Sequence, residues 1–560
     1  MNRSAHLGRL REEPFDVVVI GGGITGAGIA RDAARRGFRT ALVEARDFAQ
    51  GTSSRSSRLI HGGLRYLEHL ELDLVFEASR ERKTLLEIAP HMVRPLEFLF
   101  PLFEEGRVGR RKLDAGMWLY DALSMFRNVE RHQMLDEEEL ADREPALRRE
   151  GLLGGARYFD AQVDDARLVL ANVTAAAEAG AAVASRLEAT AIEREEEGAV
   201  TGVRVESEEG EAWSIPARVV LNATGPWTER TVERAGAEWP RRLRPTRGTH
   251  VHVPREAVGH RHALIFESPL DDRIMFVLPW GDLTLIGTTD RDYDGDPAGV
   301  VPTARDVAYL LTSTNRLFPD ARLTPDDVLA AWAGLRPLVA DEDGAGEAGE
   351  VSRDFVITEE APGLLTVAGG KLTSYRHMAE EAVDRAAGFL ERAFEVEPER
   401  DCDTDEAPLP GGDFEELGEL CRRLRGRADA RGVSPASVDR LARAHGNRAG
   451  EVLELAEERP ELGERVVEDR PYLAAEVVRA AREEMALHVE DVVFRRTHLG
   501  RETREKFEEG CRRVAGLMAG ELGWDEERRR AEVERALEVR RGDEAFRAEL
   551  EAEMERRSGG

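Results

Sequence analysis

Phe15-Asp16-Val17-Val18-Val19-Ile20-Gly21-Gly22-Gly23-Ile24-Thr25-Gly26 is the stretch on which the reading of this 560-residue chain turns. The residues up to Ile20 form a short apolar, β-branched run that suits a buried strand. They lead directly into a glycine turn, and Ala27 to Arg36 then has helical character and stops at Gly37. Thr40-Ala41-Leu42-Val43-Glu44 follows as a second strand. Such glycines permit a tight turn and a close backbone approach to a pyrophosphate, whose charge rests on the helix N-terminus. Glu44 closes the second strand, where a carboxylate can accept hydrogen bonds from an adenosine ribose. A bare G-x-G-x-x-G is weak evidence. Here strand, helix, second strand and acidic residue all fall at the required spacing, so Gly21, Gly23, Gly26 and Glu44 are read as a dinucleotide site. The carboxylate opposes the 2′-phosphate of NADP, which leaves NAD or FAD.

After Glu44 comes a hydroxyl- and glycine-rich strip, Thr52-Ser53-Ser54-Arg55-Ser56-Ser57-Arg58, then Leu59-Ile60-His61-Gly62-Gly63-Leu64-Arg65-Tyr66. It can line a long cofactor with donors. By itself it is equally a polar loop.

The composition narrows the rest. Hydrophobic residues make up 41% and charged residues 34%, which fits a globular enzyme rather than a disordered chain. No uninterrupted apolar stretch approaches the roughly 20 residues a membrane helix needs. The N-terminus lacks the apolar core of a signal peptide, so the expected location is the cytoplasm or the inner face of the cell membrane. A net charge of −30 repels polyanions, so no nucleic-acid partner is expected. Cys402, Cys421 and Cys511 are too few and too far apart for a disulfide framework or a thiolate site, and no metal is expected. Nearly all the basic charge is arginine, so a surviving lysine such as Lys371 stands out.

Up to about residue 390 the chain reads as strands alternating with helices, the pattern of a largely parallel sheet covered on both faces. Beyond Pro408-Leu409-Pro410-Gly411-Gly412 it shifts to helices rich in Glu, Arg, Ala and Leu. One helix is clear: Ser434 caps it, Pro435 suits its first turn, and His445-Gly446 stops it. The expected divisions are an oxidoreductase region at 1–390, a helical domain at 391–522, and a charged tail at 523–560 read as solvated helix or partly disordered.

At this point the motifs are recognisable. The block from Thr52 to His69 resembles the FAD-dependent glycerol-3-phosphate dehydrogenases, within the D-amino-acid-oxidase-like flavoproteins. Further similar motifs follow in order: Val163-Asp164-Asp165-Ala166-Arg167-Leu168, Leu221-Asn222-Ala223-Thr224-Gly225-Pro226-Trp227, Ile286-Gly287-Thr288-Thr289-Asp290, Gly334-Leu335-Arg336-Pro337-Leu338, Gly369-Gly370-Lys371-Leu372-Thr373-Ser374-Tyr375-Arg376 and Phe494-Arg495-Arg496-Thr497. They span about residues 15 to 500 and are absent from the tail. The resemblance implies an α/β fold in which a Rossmann-like FAD-binding domain (about 15–90, 155–235 and 345–390) is interleaved with an α+β substrate domain (about 91–154 and 236–344), plus a C-terminal all-α domain. The residues agree with it. Ala217 to Ala223 is a strand ending in Thr224-Gly225. Leu364 to Ala368 is another, leading through Gly369-Gly370 into a helix whose first amides can stabilise charge on a reduced flavin.

The same resemblance implies oxidation of sn-glycerol 3-phosphate to dihydroxyacetone phosphate, with electrons passed to a membrane quinone. Thr52, Ser53, Ser54, Ser57, Thr224, Gly225, Gly369, Gly370, Lys371, Leu372 and Thr373 join the glycines as expected FAD contacts. A dianionic substrate in so acidic a protein needs a locally cationic pocket, and Arg65, Arg336 and Lys371 are the candidates. For both arginines the alternative is a salt bridge to one of the many carboxylates. Tyr66 and Thr373 are hydrogen-bonding candidates. His250 is the expected neutral base or substrate-orienting group; otherwise it is a satisfied strand histidine alternating with His252. The basic cluster Arg107 to Lys112 and the apolar run Met117 to Phe126 read either as a membrane-interface helix or as the core side of a substrate-domain helix. Peripheral membrane contact and a homodimer are further expectations. An oxygen-using oxidase, an amine-oxidising relative and a non-catalytic flavin-binding protein are the rival functions.

Overall fold

The computed structural model describes residues 1–63, 71–124, 129–195, 198–340, 354–428 and 432–558, with side chains to residue 552. Strand Phe15–Ile20 is buried along its whole length. Val17 and Val19 pack to one side with Leu42, and Val18 and Ile20 to the other with Ala41 and Val43. With no solvated face to encode, the run is continuous rather than alternating. Strands Thr40–Val43 and Ala212–Asn222 flank it in parallel, with Val43 and Asn222 level with Ile20. Leu364–Gly369 and Ala182–Ala184 extend this sheet in parallel, and Phe355–Ala361 closes one edge antiparallel.

Helices Ile24–Arg35, Asp165–Glu178 and Tyr375–Phe394 cover one face. A Cβ on Gly28 would lie 2.9 Å from the Tyr375 ring, so the glycine sets how closely two of them pack. The antiparallel hairpin of Leu187–Arg194 and Val200–Ser207 covers the other face.

The expectation of one largely parallel sheet fails for the second, ten-stranded sheet, which is antiparallel apart from the pairing of Ala263–Glu267 with Arg94–Phe103. One of its two longest pairings sets Leu243–Pro254 against Ala330–Val339. Strands alternate with helices along the sequence because the chain shuttles between two sheets, and alternation alone does not say which sheet receives a strand.

In the C-terminal region the helix Pro435–His445 has the expected ends: Ser434 accepts from the Ser437 amide, and Gly446 turns the chain at φ +55°. The segment His488–Thr503 departs from a surface domain's pattern, because every residue in it is buried. The tail is also not simply solvated. It forms helices Glu526–Glu544 and Phe546–Ser558, burying Ala536 in the helical domain and Phe546 in the core of the second sheet. Charge dominates its composition, yet a few inward residues suffice to dock it.

Candidate active site

The turn after Phe15–Ile20 is forced by its own backbone. Gly21 has φ +111°, and a Cβ on Gly26 would lie 1.9 Å from the Gly21 carbonyl oxygen. Gly23 stands at the start of helix Ile24–Arg35, and the Ile24 amide donates to Ser53 Oγ at 3.0 Å. Glu44 accepts from the Gly22 amide at 2.6 Å and the Arg46 amide at 2.8 Å, so its carboxylate braces the glycine loop at the mouth of the site.

A cleft of about 410 Å³ runs from this loop to the second sheet. Gly21, Gly23, Glu44, Thr52, Ser53, Thr224, Gly225, Gly369, Gly370, Lys371 and Leu372 all line it, beside Leu335 and Pro337 on either side of Arg336 in sequence. Gly225, at φ +56°, has nothing within 4 Å of where a Cβ would stand, so the wall is open there. A long groove of glycines and hydroxyls beginning at a helix N-terminus fits FAD, with the adenosine end at Glu44 and the ring end at Lys371.

The remaining predicted residues that are described fall outside the lining of that cleft. Gly26 packs on Gly21. The Ser54 side chain is buried and its carbonyl accepts from Arg501. Thr373 Oγ1 accepts from the His61 amide at 3.2 Å, tying the strip to the turn before helix Tyr375–Phe394. Arg65 and Tyr66 lie outside the described residues.

Ser57, also expected against the cofactor, bonds to His250: Oγ and Nε2 are 2.8 Å apart. The His250 ring is stacked on Trp332, with centroids 5.6 Å apart and planes at 16°. His252, on the same face of the strand, meets Trp332 edge-on at 4.7 Å. Gly287 makes room for this, since a Cβ there would lie 2.2 Å from His250 Cδ2. Burial, and then the charges of Arg336, Arg501 and Arg58, hold His250 well below the usual histidine range. It is therefore neutral at physiological pH.

Arg336 faces Thr246 across the strand pair. Its Nη1 is 3.0 Å from Asp290 Oδ1, and its Nη2 donates to Thr288 Oγ1 and the Thr289 carbonyl, both at 3.1 Å. The alternative of a carboxylate partner is thus realised. The Arg336 side chain as a whole keeps about a fifth of its surface exposed (21%). Gly248 gives it space, as a Cβ there would lie 2.6 Å from Nη2.

Sequence reasoning missed Asp290 as the partner of Arg336, Trp332 as the platform under His250, and the C-terminal residues His498 and Arg501 behind them. The Thr288-Thr289-Asp290 motif was visible, but not its pairing. The buried setting of residues 488–503 had a signal in the Val492-Val493-Phe494 run.

This fold and cleft define a flavoprotein oxidoreductase. Residues 16–376 match the family described as FAD dependent oxidoreductase, and residues 402–529 match the C-terminal domain of alpha-glycerophosphate oxidase. A glycerol-3-phosphate dehydrogenase of Mycobacterium leprae is 40% identical over 94% of this chain and 88% of its own length. One from Synechocystis is 37% identical over 92% of this chain and 95% of its own. The solved glycerol-3-phosphate dehydrogenase of Bacillus halodurans, complexed with FAD, superposes with a TM-score of 0.77 at 32% identity, covering 99% of this chain and 97% of that one. The chain belongs to the FAD-dependent glycerol-3-phosphate dehydrogenase family, as its motifs implied.

Proposed function

We propose that this protein oxidises sn-glycerol 3-phosphate to dihydroxyacetone phosphate and passes the electrons to a membrane quinone. The observation that carries the reading is a neutral, buried histidine and a partly open arginine on adjacent strands, the arginine standing between two residues that line the dinucleotide cleft. FAD, when bound, supplies the acceptor for the hydride leaving the alcohol carbon.

The chain's own residues do the rest. Arg336 and Lys371, with Arg65, Tyr66 and Thr373 from the adjoining strip and turn, hold the phosphoryl group and orient the alcohol. His250 takes the hydroxyl proton. Its Nε2 is engaged by Ser57, and Nδ1 is buried with no hydrogen-bond partner among the described residues. A base held below its ordinary pKa also releases the proton again readily. Amides at the start of helix Tyr375–Phe394 favour negative charge at the ring end of the cleft.

The quinone assignment draws on the surface around helix Arg110–Leu123. Leu113, Met117 and Tyr120 face inward, whereas Trp118 (51% exposed) and Leu119 (37%) face out, and Phe76 and Leu72 are exposed on the contacting helix Leu72–Ile88. Arg110, Arg111 and Lys112 are exposed at its start. The helix thus has both characters considered for it, and an aromatic, basic-flanked face suits peripheral contact with an anionic membrane. Among the described residues no helix is long and apolar enough to cross a membrane.

The test is anaerobic. Glycerol 3-phosphate should bleach the bound flavin where glycine and D-alanine do not, and a quinone should restore the colour. Persistence of the colour with glycerol 3-phosphate overturns the substrate. Reoxidation by oxygen with peroxide release, and none by quinone, makes the protein an oxidase.

A further inference from the structure

An uninterrupted buried segment in a charged helical domain needs partners for its polar groups, and several of those of residues 498–502 come from the oxidoreductase region. His498 Nε2 lies 2.7 Å from Asp164 Oδ2, and Glu502 accepts from Trp280 Nε1 at 2.8 Å. Between them, Arg501 is 4% exposed. Its Nη1 donates to the Ser54 carbonyl, its own carbonyl is 2.8 Å from His252 Nδ1, and its guanidinium carbon is 4.9 Å from the centre of the Trp332 ring. Trp332 is the ring on which His250 is stacked.

We infer that Arg501 is a positioning residue supplied to the active site by the C-terminal helical domain: it fixes the hydroxyl strip at Ser54 and the Trp332 platform of His250, and places a buried positive charge behind that base. A planar guanidinium can donate to a carbonyl while its flat face stacks on an indole, a geometry the compact ammonium lacks. Burial, followed by the nearby Arg58 and Arg55, brings Arg501 down to about 9, so it stays charged at neutral pH. The charged groups bearing on His250 are Arg336, Arg501 and Arg58, and each opposes its protonation. His252 on the same strand is itself held neutral by burial. Arg501 acts through Ser54, His252 and Trp332 and is not a catalytic residue.

The charge effect rests on the reading of His250 as the base; the hold on Ser54 does not. The test therefore has two arms, FAD uptake by the stripped protein and the acid limb of kcat/KM against pH. Arg501→Met should weaken FAD uptake about tenfold and move the acid limb up by about one pH unit, because removing a cation lets His250 protonate earlier. Arg501→Lys should leave the limb in place and still weaken FAD uptake. His250→Asn, measured alongside, should abolish the limb; if the limb survives there, the base assignment fails and the FAD arm alone judges Arg501. Wild-type FAD uptake together with an unmoved limb in R501M overturns the inference. Should R501M not fold, wild-type FAD uptake by R501K overturns it instead.

Discussion

The Arg336 guanidinium lies 3.0 Å from the Asp290 carboxylate, so the cation assigned to the substrate's phosphoryl group is already partnered before substrate arrives. Asp290 is 10% exposed on its side chain and repels an incoming dianion, while Thr288 Oγ1 and the Thr289 carbonyl hold the same guanidinium independently. Asp290→Asn should therefore keep the arginine in place and lower KM for glycerol 3-phosphate several-fold. A raised KM would show that the carboxylate orients more than it competes. Arg336→Ala should cut kcat/KM by roughly two to three orders of magnitude, the scale of losing charge-assisted hydrogen bonds to a partly buried anion, with FAD content unchanged. Loss of FAD would place Arg336 in the cofactor site instead.

His250 yields a pH prediction whose sign follows from its depressed pKa. The folded protein keeps the ring neutral below the pH at which an unfolded histidine charges, about 6.5. Activity limited by this base should persist below pH 6.5. Stability should meanwhile fall as pH drops through that value, because only the unfolded chain then takes up the proton. Replacing His250 by Asn should lower kcat by about two to four orders of magnitude and leave FAD bound. An acid limb near 6.5 in the wild type would contradict the buried, neutral assignment.

The dinucleotide loop was legible because its causes are local: Gly21, Gly23, Gly26 and Glu44 act within one strand–turn–helix–strand unit, and spacing alone reports them. The Ser434 cap was legible for the same reason. Arg336 and His250 could be named from their motifs, but their partners could not. Asp290 is 46 residues from Arg336 and Ser57 is 193 from His250, and only strand pairing and the return of the chain between two sheets bring them together. Arg501 reaches Ser54 over 447 residues. The tail misled because its composition is that of a solvated helix, while docking depends on a few residues such as Phe546.

His488 supplies a prediction of the opposite sign. It is buried between Glu208, in the turn after strand Val200–Ser207, and Glu532, on the tail helix, at 2.8 and 2.9 Å. Burial alone would lower its pKa, but the two carboxylates reverse this and raise it to about 9. The stability it contributes is fully present below about pH 6.5, where unfolded histidine is also charged, and is lost as pH rises through 9. The contribution at neutral pH is on the order of 2–3 kcal/mol. Melting temperature should decline between pH 7 and 9.5, and His488→Gln should flatten that decline. An unchanged slope in the variant would mean that the imidazole is not charged in the folded protein.

The tail's second helix can be tested through one residue. Phe546 is fully buried in the second sheet's core with Leu550 packed against it, and Arg547 beside it donates to the carbonyls of Pro325 and Val328 at 2.9 and 2.6 Å. Truncating such a ring leaves a cavity that surrounding strands only partly fill, at a cost of about 3–5 kcal/mol. Phe546→Ala should therefore lower stability by that amount in denaturant unfolding. Because Phe546 sits in the second sheet rather than the glycine-turn sheet, FAD affinity should change little. A solvated tail predicts the reverse, with no stability change on substitution, so a Phe546→Ala protein that unfolds like the wild type would return the tail to the surface.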